Sequence, residues 1–150
     1  MTIKFYKSIP PYGYLNNFCK AKMKVFGKVW ETVEHAYQSQ KTLIPGEVLK
    51  IWAAKTPREA RDMGQLVQMR PDWDDIKDSI MKECVMAKFT QHQDLKEQLL
   101  STDDEELVED SKIDAYWGCG ADGSGKNMLG KLLMEVRKEL RDEKASNNLF

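Results

Sequence analysis

The sequence predicts an α+β fold, mainly helical and in a single domain, and three observations carry that expectation. Apolar side chains recur at helical spacing in two long segments: Ile76, Ile80 and Cys84 beside Met81, Val85 and Phe89, then Leu129, Leu132, Leu133, Val136 and Leu140. Strand signals are confined to short stretches near the N-terminus. The chain has 150 residues, enough for one domain with its own core, and shows no internal repeat, linker or low-complexity segment.

In chain order, Ile3 to Tyr6 read as a strand closed by the turn residues Pro10, Pro11 and Gly13. Leu15 to Phe18 read as a loop. Met23, Val25 and Val29 alternate with lysines around Phe26-Gly27, the pattern of a hairpin. Thr32 is placed to cap a helix reaching about Leu43, stopped by Pro45 and Gly46. Glu47 to Ala54 form a short helix. Thr56-Pro57-Arg58-Glu59 is a capping box with proline at the first helical position, and its helix ends at Gly64. Pro71 to Asp74 open the longest helix, which runs to about His92. Leu95, Leu99 and Leu100 continue a second apolar segment. Thr102 to Glu105 form another capping box, starting a short helix or a turn, and a strand is expected from Leu107 and Val108 toward Trp117. The last helix starts near Asn127, and the polar tail from Arg141 to Phe150 is expected to fray.

The formal net charge is -1, so no global field recruits nucleic acid. No apolar run approaches the roughly 20 residues of a membrane helix, and the first residues lack the apolar block of a signal peptide. Cys19, Cys84 and Cys119 are odd in number and far apart, with no CxxC pair. With only His35 and His92 beside them, neither a disulfide framework nor a metal site is indicated. The expected compartment is the reducing cytoplasm.

Trp30 to Lys41, W-E-T-V-E-H-A-Y-Q-S-Q-K, is the first informative stretch. Glu34, Gln38 and Lys41 fall on one helical face, flanked by Tyr37, while Ala36, Ser39 and Gln40 form a small or polar opposite face. A core-facing helix should carry Leu, Ile or Val instead. These residues alone favour a solvated helix, since most charged side chains are exposed. The competing reading is a polar stripe lining a pocket, with Glu34 as an acid or base.

The second stretch, Asp114 to Asn127, holds four glycines in eight residues directly before a helix. Gly120 to Lys126 resembles a phosphate-binding GxxxxGK loop, but Asn127 stands where Ser or Thr would hold magnesium, so a nucleotide triphosphatase is rejected. An anion site remains open, built from glycine amides, the helix N-terminus and Lys126. A plain turn with Asn127 as N-cap fits as well. Trp73, between Asp72 and Asp74, and Trp117 read either as core packing or as walls on which a flat ring stacks.

Together these segments carry a resemblance. L-N-N-F at Leu15–Phe18, W-x-T-x-E-H-x-Y-Q-x-Q-K at Trp30–Lys41, R-P-D-W at Arg70–Trp73, A-K-F at Ala87–Phe89 and D-A-Y-W-G-x-G-x-x-G-x-G-K-N-x-L-G at Asp114–Gly130 closely resemble the YbiA-like, or NADAR, family. The likeness runs from about Ile3 to Leu140. Asn16 and Ala36 depart from the residues common there, Ser and an aromatic.

The resemblance implies an N-glycosidase that needs no cofactor and no metal. One implied substrate class is the 5-phosphoribosylamino-pyrimidines of early riboflavin synthesis. Another is ADP-ribose attached to guanine, which would make ADP-ribosylated nucleic acid a partner. Glu34, Trp73, Asp114 and Trp117 carry over by motif position, with Asn17 and Lys41 as pocket members. Phe18, Gly118, Gly120, Gly125, Lys126 and Asn127 complete the expected binding set.

Cleaving an N-glycosidic bond builds positive charge on the sugar and negative charge on the leaving nitrogen, a task that suits two carboxylates in different environments. Glu34 would deprotonate water, and Asp114 would hold a ribose hydroxyl or help protonate the base. The two acids are expected to converge on one sugar-sized hollow. Lys41 attacking the sugar as an amine is a covalent variant. A module that binds ADP-ribose without hydrolysis is the rival from another class.

Overall fold

The computed structural model describes residues 1–147. The fold is α+β: among the described residues six α-helices dominate, and the strands form two separate two-stranded pairs. The chain divides into two compact units, residues 17–91 and residues 1–16 with 92 onward. Among the described residues no helix is long and apolar enough to cross a membrane.

In the unit 17–91, β1 (Met23–Val25) and β2 (Lys28–Trp30) form the expected hairpin. Phe26 and Gly27 both take positive φ, +55° and +75°, the two-residue turn whose twist suits paired strands. Met23 opposes Trp30, and both are buried.

Thr32 caps α1 (Val33–Ser39) as predicted, its hydroxyl accepting from the His35 amide at 3.2 Å. The same hydroxyl lies 2.8 Å from His35 Nδ1, while Nε2 lies 3.0 Å from the Ala54 carbonyl. A carbonyl only accepts, so Nε2 carries the proton and Nδ1 takes the threonine hydrogen.

Helix α1 is shorter than the sequence suggests. It stops at Ser39 because the next residues are claimed from elsewhere: the Lys41 carbonyl accepts from Arg70 N at 2.8 Å, and Thr42 pairs with Met69. Pro45 does not stop α1. It opens α2 (Pro45–Trp52) from the first-turn position, where its missing N–H costs nothing.

Helices α3 (Pro57–Gly64) and α4 (Trp73–Gln91) follow their predicted spans closely, and Thr56 caps α3 by accepting from Glu59 N at 3.1 Å. All seven residues of α1 are buried, with α2, α3, α4 and the hairpin packed around it. The solvated-helix expectation is therefore overturned. A one-sided apolar stripe marks a helix that faces water on its other side; α1 has neighbours all round, and its small face, Ala36 and Ser39, lets them approach closely.

Helix α4 also buries Lys88, and that burial lowers its ammonium to about pKa 8, with the field of Cys19 acting the other way. Between pH 8 and the unfolded value near 10.5, the unfolded chain holds more protons at this site than the folded chain. Stability contributed by Lys88 therefore rises with pH across that window. Relative to Lys88→Met, the wild type should gain about 1–3 kcal/mol between pH 7.5 and 10.5. Urea midpoints of both proteins across that range measure it; a constant difference would refute it.

In the other unit, β3 (Thr2–Phe5) pairs in parallel with β4 (Glu106–Glu109), Ile3 opposite Leu107. β4 holds the strand expected at Leu107 and Val108, so the strands are not confined to the N-terminal region named in the fold-class reading. Nor does β4 run on toward Trp117. Its partner ends at Phe5, whose carbonyl takes Asp110 N at 2.8 Å, and the chain then turns into a loop.

Helix α5 (Gln93–Leu100) comes before β4, and the segment from Thr102 is the turn, not the short helix, of the two alternatives expected there. The threonine hydroxyl donates to the Leu99 carbonyl at 2.6 Å and accepts from Arg137 at 2.9 Å. Helix α6 (Met128–Asn147) buries Leu129, Leu132, Leu133, Val136 and Leu140, the face read from the sequence. The tail expected to fray from Arg141 is helical through Asn147, with Arg141 bonded to Asp104 at 2.7 Å; residues 148–150 of that expectation lie outside the described residues.

Candidate functional site

Helix α1 holds the predicted acid. Glu34 is 8% exposed, and its backbone N–H donates to the Asn17 carbonyl at 3.2 Å. Its Oε1 accepts from Gln38 Nε2 at 2.8 Å. Asn17 is itself buried, its amide donating to Met81 Sδ at 3.5 Å, and Phe18 beside it is half-buried.

Lys41 leaves the end of α1 half-buried, its Nζ 5.9 Å from the Tyr37 ring centroid. Burial holds the Lys41 ammonium below its ordinary pKa; the charge of Glu34 acts in the opposite sense, and Arg61 and Lys77 add to the lowering. The Tyr37 ring packs on Trp73 with centroids 5.2 Å apart and planes at 53°.

The R-P-D-W motif explains why these groups stay together. Arg70 binds Asp72 through two contacts, 2.6 and 3.1 Å, which shapes the turn, while its N–H holds the Lys41 carbonyl. Trp73 then enters α4 under Tyr37. It is 4% exposed, so it buttresses the tyrosine and offers no open face for a ring to stack on. The unit 17–91 thus brings Asn17, Glu34, Lys41 and Trp73 into one neighbourhood. Sequence reasoning placed Gln38 on the polar stripe and Tyr37 beside it without giving either a role, and left His35 out, although the i, i+4 spacing of Glu34 and Gln38 signalled their contact.

Asp114, Trp117 and the glycine-rich loop belong to the other unit. Asp114 Oδ1 accepts from the backbone of Tyr116 at 2.9 Å and of Trp117 at 2.8 Å, so this oxygen holds a turn. Trp117 is half-buried and meets Tyr116 edge-on at 4.9 Å.

Many of the loop's amides are already engaged within the chain. Cys119, Gly120, Gly123, Gly125, Lys126 and Asn127 all donate their N–H to carbonyls of the chain. Met128 and Leu129, in the first turn of α6, donate to the Tyr116 and Trp117 carbonyls at 2.9 and 3.1 Å. The loop therefore caps the helix with its own oxygens, and those donors are spent.

Asn127 is likewise committed. Its amide donates to the Leu107 carbonyl and accepts from Glu109 N, both at 2.9 Å, tying α6 to β4. The glycines serve close packing: a side chain on Gly118 would press on the Asp114 carbonyl, and one on Gly125 on the Cys119 and Gly118 backbone. Gly118, Gly120, Gly125 and Asn127 thus shape the loop, and the amides of Gly120, Gly125 and Asn127 are used inside it. Lys126 is exposed, its Nζ 5.5 Å from the Tyr116 ring centroid.

Comparison with known proteins agrees with this reading of the motifs. Residues 4–141 match the NADAR domain. An N-glycosidase of Nostoc punctiforme is 47% identical over 95% of this chain and 94% of its own. N-glycosidase YbiA of Escherichia coli is 42% identical over 95% of this chain and 90% of its own. A riboflavin biosynthesis protein of Vibrio vulnificus is 41% identical over 97% of this chain, which spans 40% of that longer protein. The NMR structure of E. coli YbiA superposes with a TM-score of 0.89, covering 96% of this chain and 87% of that one at 41% identity. The chain belongs to the NADAR family.

Proposed function

We propose that this protein is an N-glycosidase that hydrolyses the bond between a phosphorylated ribose and an amine-bearing base. The observation that carries the reading is Glu34: a carboxylate almost wholly buried, held at one oxygen by an amide and facing the field of a half-buried amine. An ionisable acid is rarely kept in such a place without a chemical task.

In this reading the C1–N bond breaks and its electron pair leaves with the base nitrogen, which gains a proton. Water adds its oxygen to C1, Glu34 takes the proton that water sheds, and that proton is handed on to the departing nitrogen, so Glu34 ends as a carboxylate again. Tyr37, buttressed by Trp73, walls the carboxylate from bulk water. Asp114 keeps the Tyr116–Trp117 turn in shape, and Lys126 is the cation that the glycine-rich loop offers to a phosphate.

The names of the relatives support N-glycosidic chemistry, and those of the Vibrio vulnificus and Zea mays proteins, both riboflavin biosynthesis proteins, favour ribosylamino-pyrimidine 5′-phosphates as substrate. ADP-ribosyl-guanine is the alternative that the family resemblance supplies. The lowered pKa of Lys41 favours a second route, in which its neutral amine attacks C1 and the base departs with the electron pair of the broken bond.

Incubation with a ribosylamino-pyrimidine 5′-phosphate and, separately, ADP-ribosylated guanosine should release ribose 5-phosphate from the first. Chromatography of both products decides it. Binding without turnover of either would leave a recognition module and end the enzyme reading. Borohydride added during turnover should leave a reduced adduct on Lys41 only if the amine route operates.

A further inference from the structure

Gln38 lies one turn beyond Glu34 on α1 and is 5% exposed. Its two polar ends are treated unequally. Nε2 donates to Glu34 Oε1 at 2.8 Å, while Oε1 is buried with no hydrogen-bond partner among the described residues. That bare oxygen rests against the backbone of Gly64 in α3: a Cβ at position 64 would overlap it and lie 2.8 Å from Gln38 Cδ.

A buried amide normally satisfies both ends, and an orphaned acceptor costs about 1–3 kcal/mol. Turning the amide over would not relieve it. The oxygen would then face the Glu34 carboxylate, acceptor against acceptor, and the NH₂ group would be pressed on Gly64. This orientation suits an ionised Glu34, whose oxygens only accept. Protonation would reverse the preference, because a carboxylic acid donates its hydrogen to an amide oxygen.

We propose that Gln38 is a positioning residue that holds Glu34 as an aimed carboxylate, and that Gly64 is the position that leaves room for its amide. Its catalytic consequence rests on the N-glycosidase reading above; the linkage between the two side chains does not.

Other charged and titratable groups surround the pair. Lys41 follows α1, and Cys84 on α4 feels the charge of Glu34. Arg61 on α3 and Lys77 on α4 act on Lys41. Glu47 on α2 is engaged with Thr42 and the Gln68 amide, and Lys28 of the hairpin lies over the Trp52 ring. Gln38 Nε2 donates its hydrogen bond directly to the Glu34 carboxylate.

The test is NMR of the whole protein. The ¹³C carboxyl signal of Glu34, assigned by its absence in Glu34→Gln, is followed with pH alongside the side-chain NH₂ signal of Gln38. In the wild type both should move with one midpoint. In Gln38→Met the Glu34 midpoint should rise by about one pH unit, the loss expected when a hydrogen bond to the charged form is removed. Gly64→Ala, which deletes no polar group, should move it in the same direction by displacing the amide.

A Gln38 signal that ignores the Glu34 titration in the wild type would overturn the proposal, and that measurement needs no altered core. An unchanged midpoint in folded Gln38→Met would overturn it too. If the linkage holds while Glu34→Gln keeps its turnover, the N-glycosidase assignment of Glu34 fails and the positioning contact stands.

Discussion

Glu34→Gln is expected to fold like the wild type and to lose turnover by about 10²- to 10⁴-fold, the usual worth of one acid–base group. The carboxamide has nearly the shape of the carboxylate, and its carbonyl oxygen can still accept from Gln38 Nε2. It cannot take a proton from water at neutral pH. The loss should therefore fall on kcat, with KM moved little, as for an interaction realised only in the transition state.

The same variant also separates the two routes. The charge of Glu34 raises the pKa of Lys41, so removing it should leave more of the amine neutral. If Lys41 were the nucleophile, Glu34→Gln would still yield a borohydride-trapped adduct. Steady-state kinetics with a thermal melt as the folding control measures the outcome, and an unaltered kcat in a folded Glu34→Gln protein would end the assignment.

Gly130→Ala is expected to destabilise the protein by about 1–3 kcal/mol net, against the local preference of the helix. Alanine in a helix interior is favoured over glycine by about 1 kcal/mol. At position 130, however, the added Cβ would overlap the Leu107 carbonyl and both polar ends of the Asn127 amide. Leu107 is fully buried in β4 and paired with Ile3. The Asn127 amide spans from Leu107 to Glu109 along the same strand. Neither can retreat without opening the β3–β4 ladder or breaking the bridge from α6.

Overpacking of this kind costs about 1–3 kcal/mol, and a lost hydrogen bond about 1 more. A lower urea midpoint at constant m-value is the expected readout. A midpoint equal to or above that of the wild type would show that α6 does not sit on β4 as closely as described.

The family motifs, the hairpin at Phe26-Gly27, the caps at Thr32 and Thr56, and the apolar faces of α4 and α6 were all legible in the residues alone. Each is a local signal, set by turn sterics, an orphan N–H or a helical period, and needs no distant partner. What distant partners decide was not legible. Helix α1 reads as a surface helix because it lacks Leu and Ile, yet it is buried on all sides by neighbours that the stretch itself does not name. Its end is set by Arg70, which reaches the Lys41 carbonyl from well downstream.

The glycine-rich loop shows the same division. Its composition truthfully reports close backbone approach, but composition cannot say to what. The structure answers that the loop's amides meet its own carbonyls and those of the chain just before it, while Asn127 reaches back to β4. Period and capping belong to neighbours in sequence; burial and hydrogen-bond satisfaction belong to pairs that only folding brings together. So the sequence by itself determined the family, the helical frame and Glu34 as the candidate acid, while tertiary structure decided that Glu34 is buried and that Gln38 donates to it.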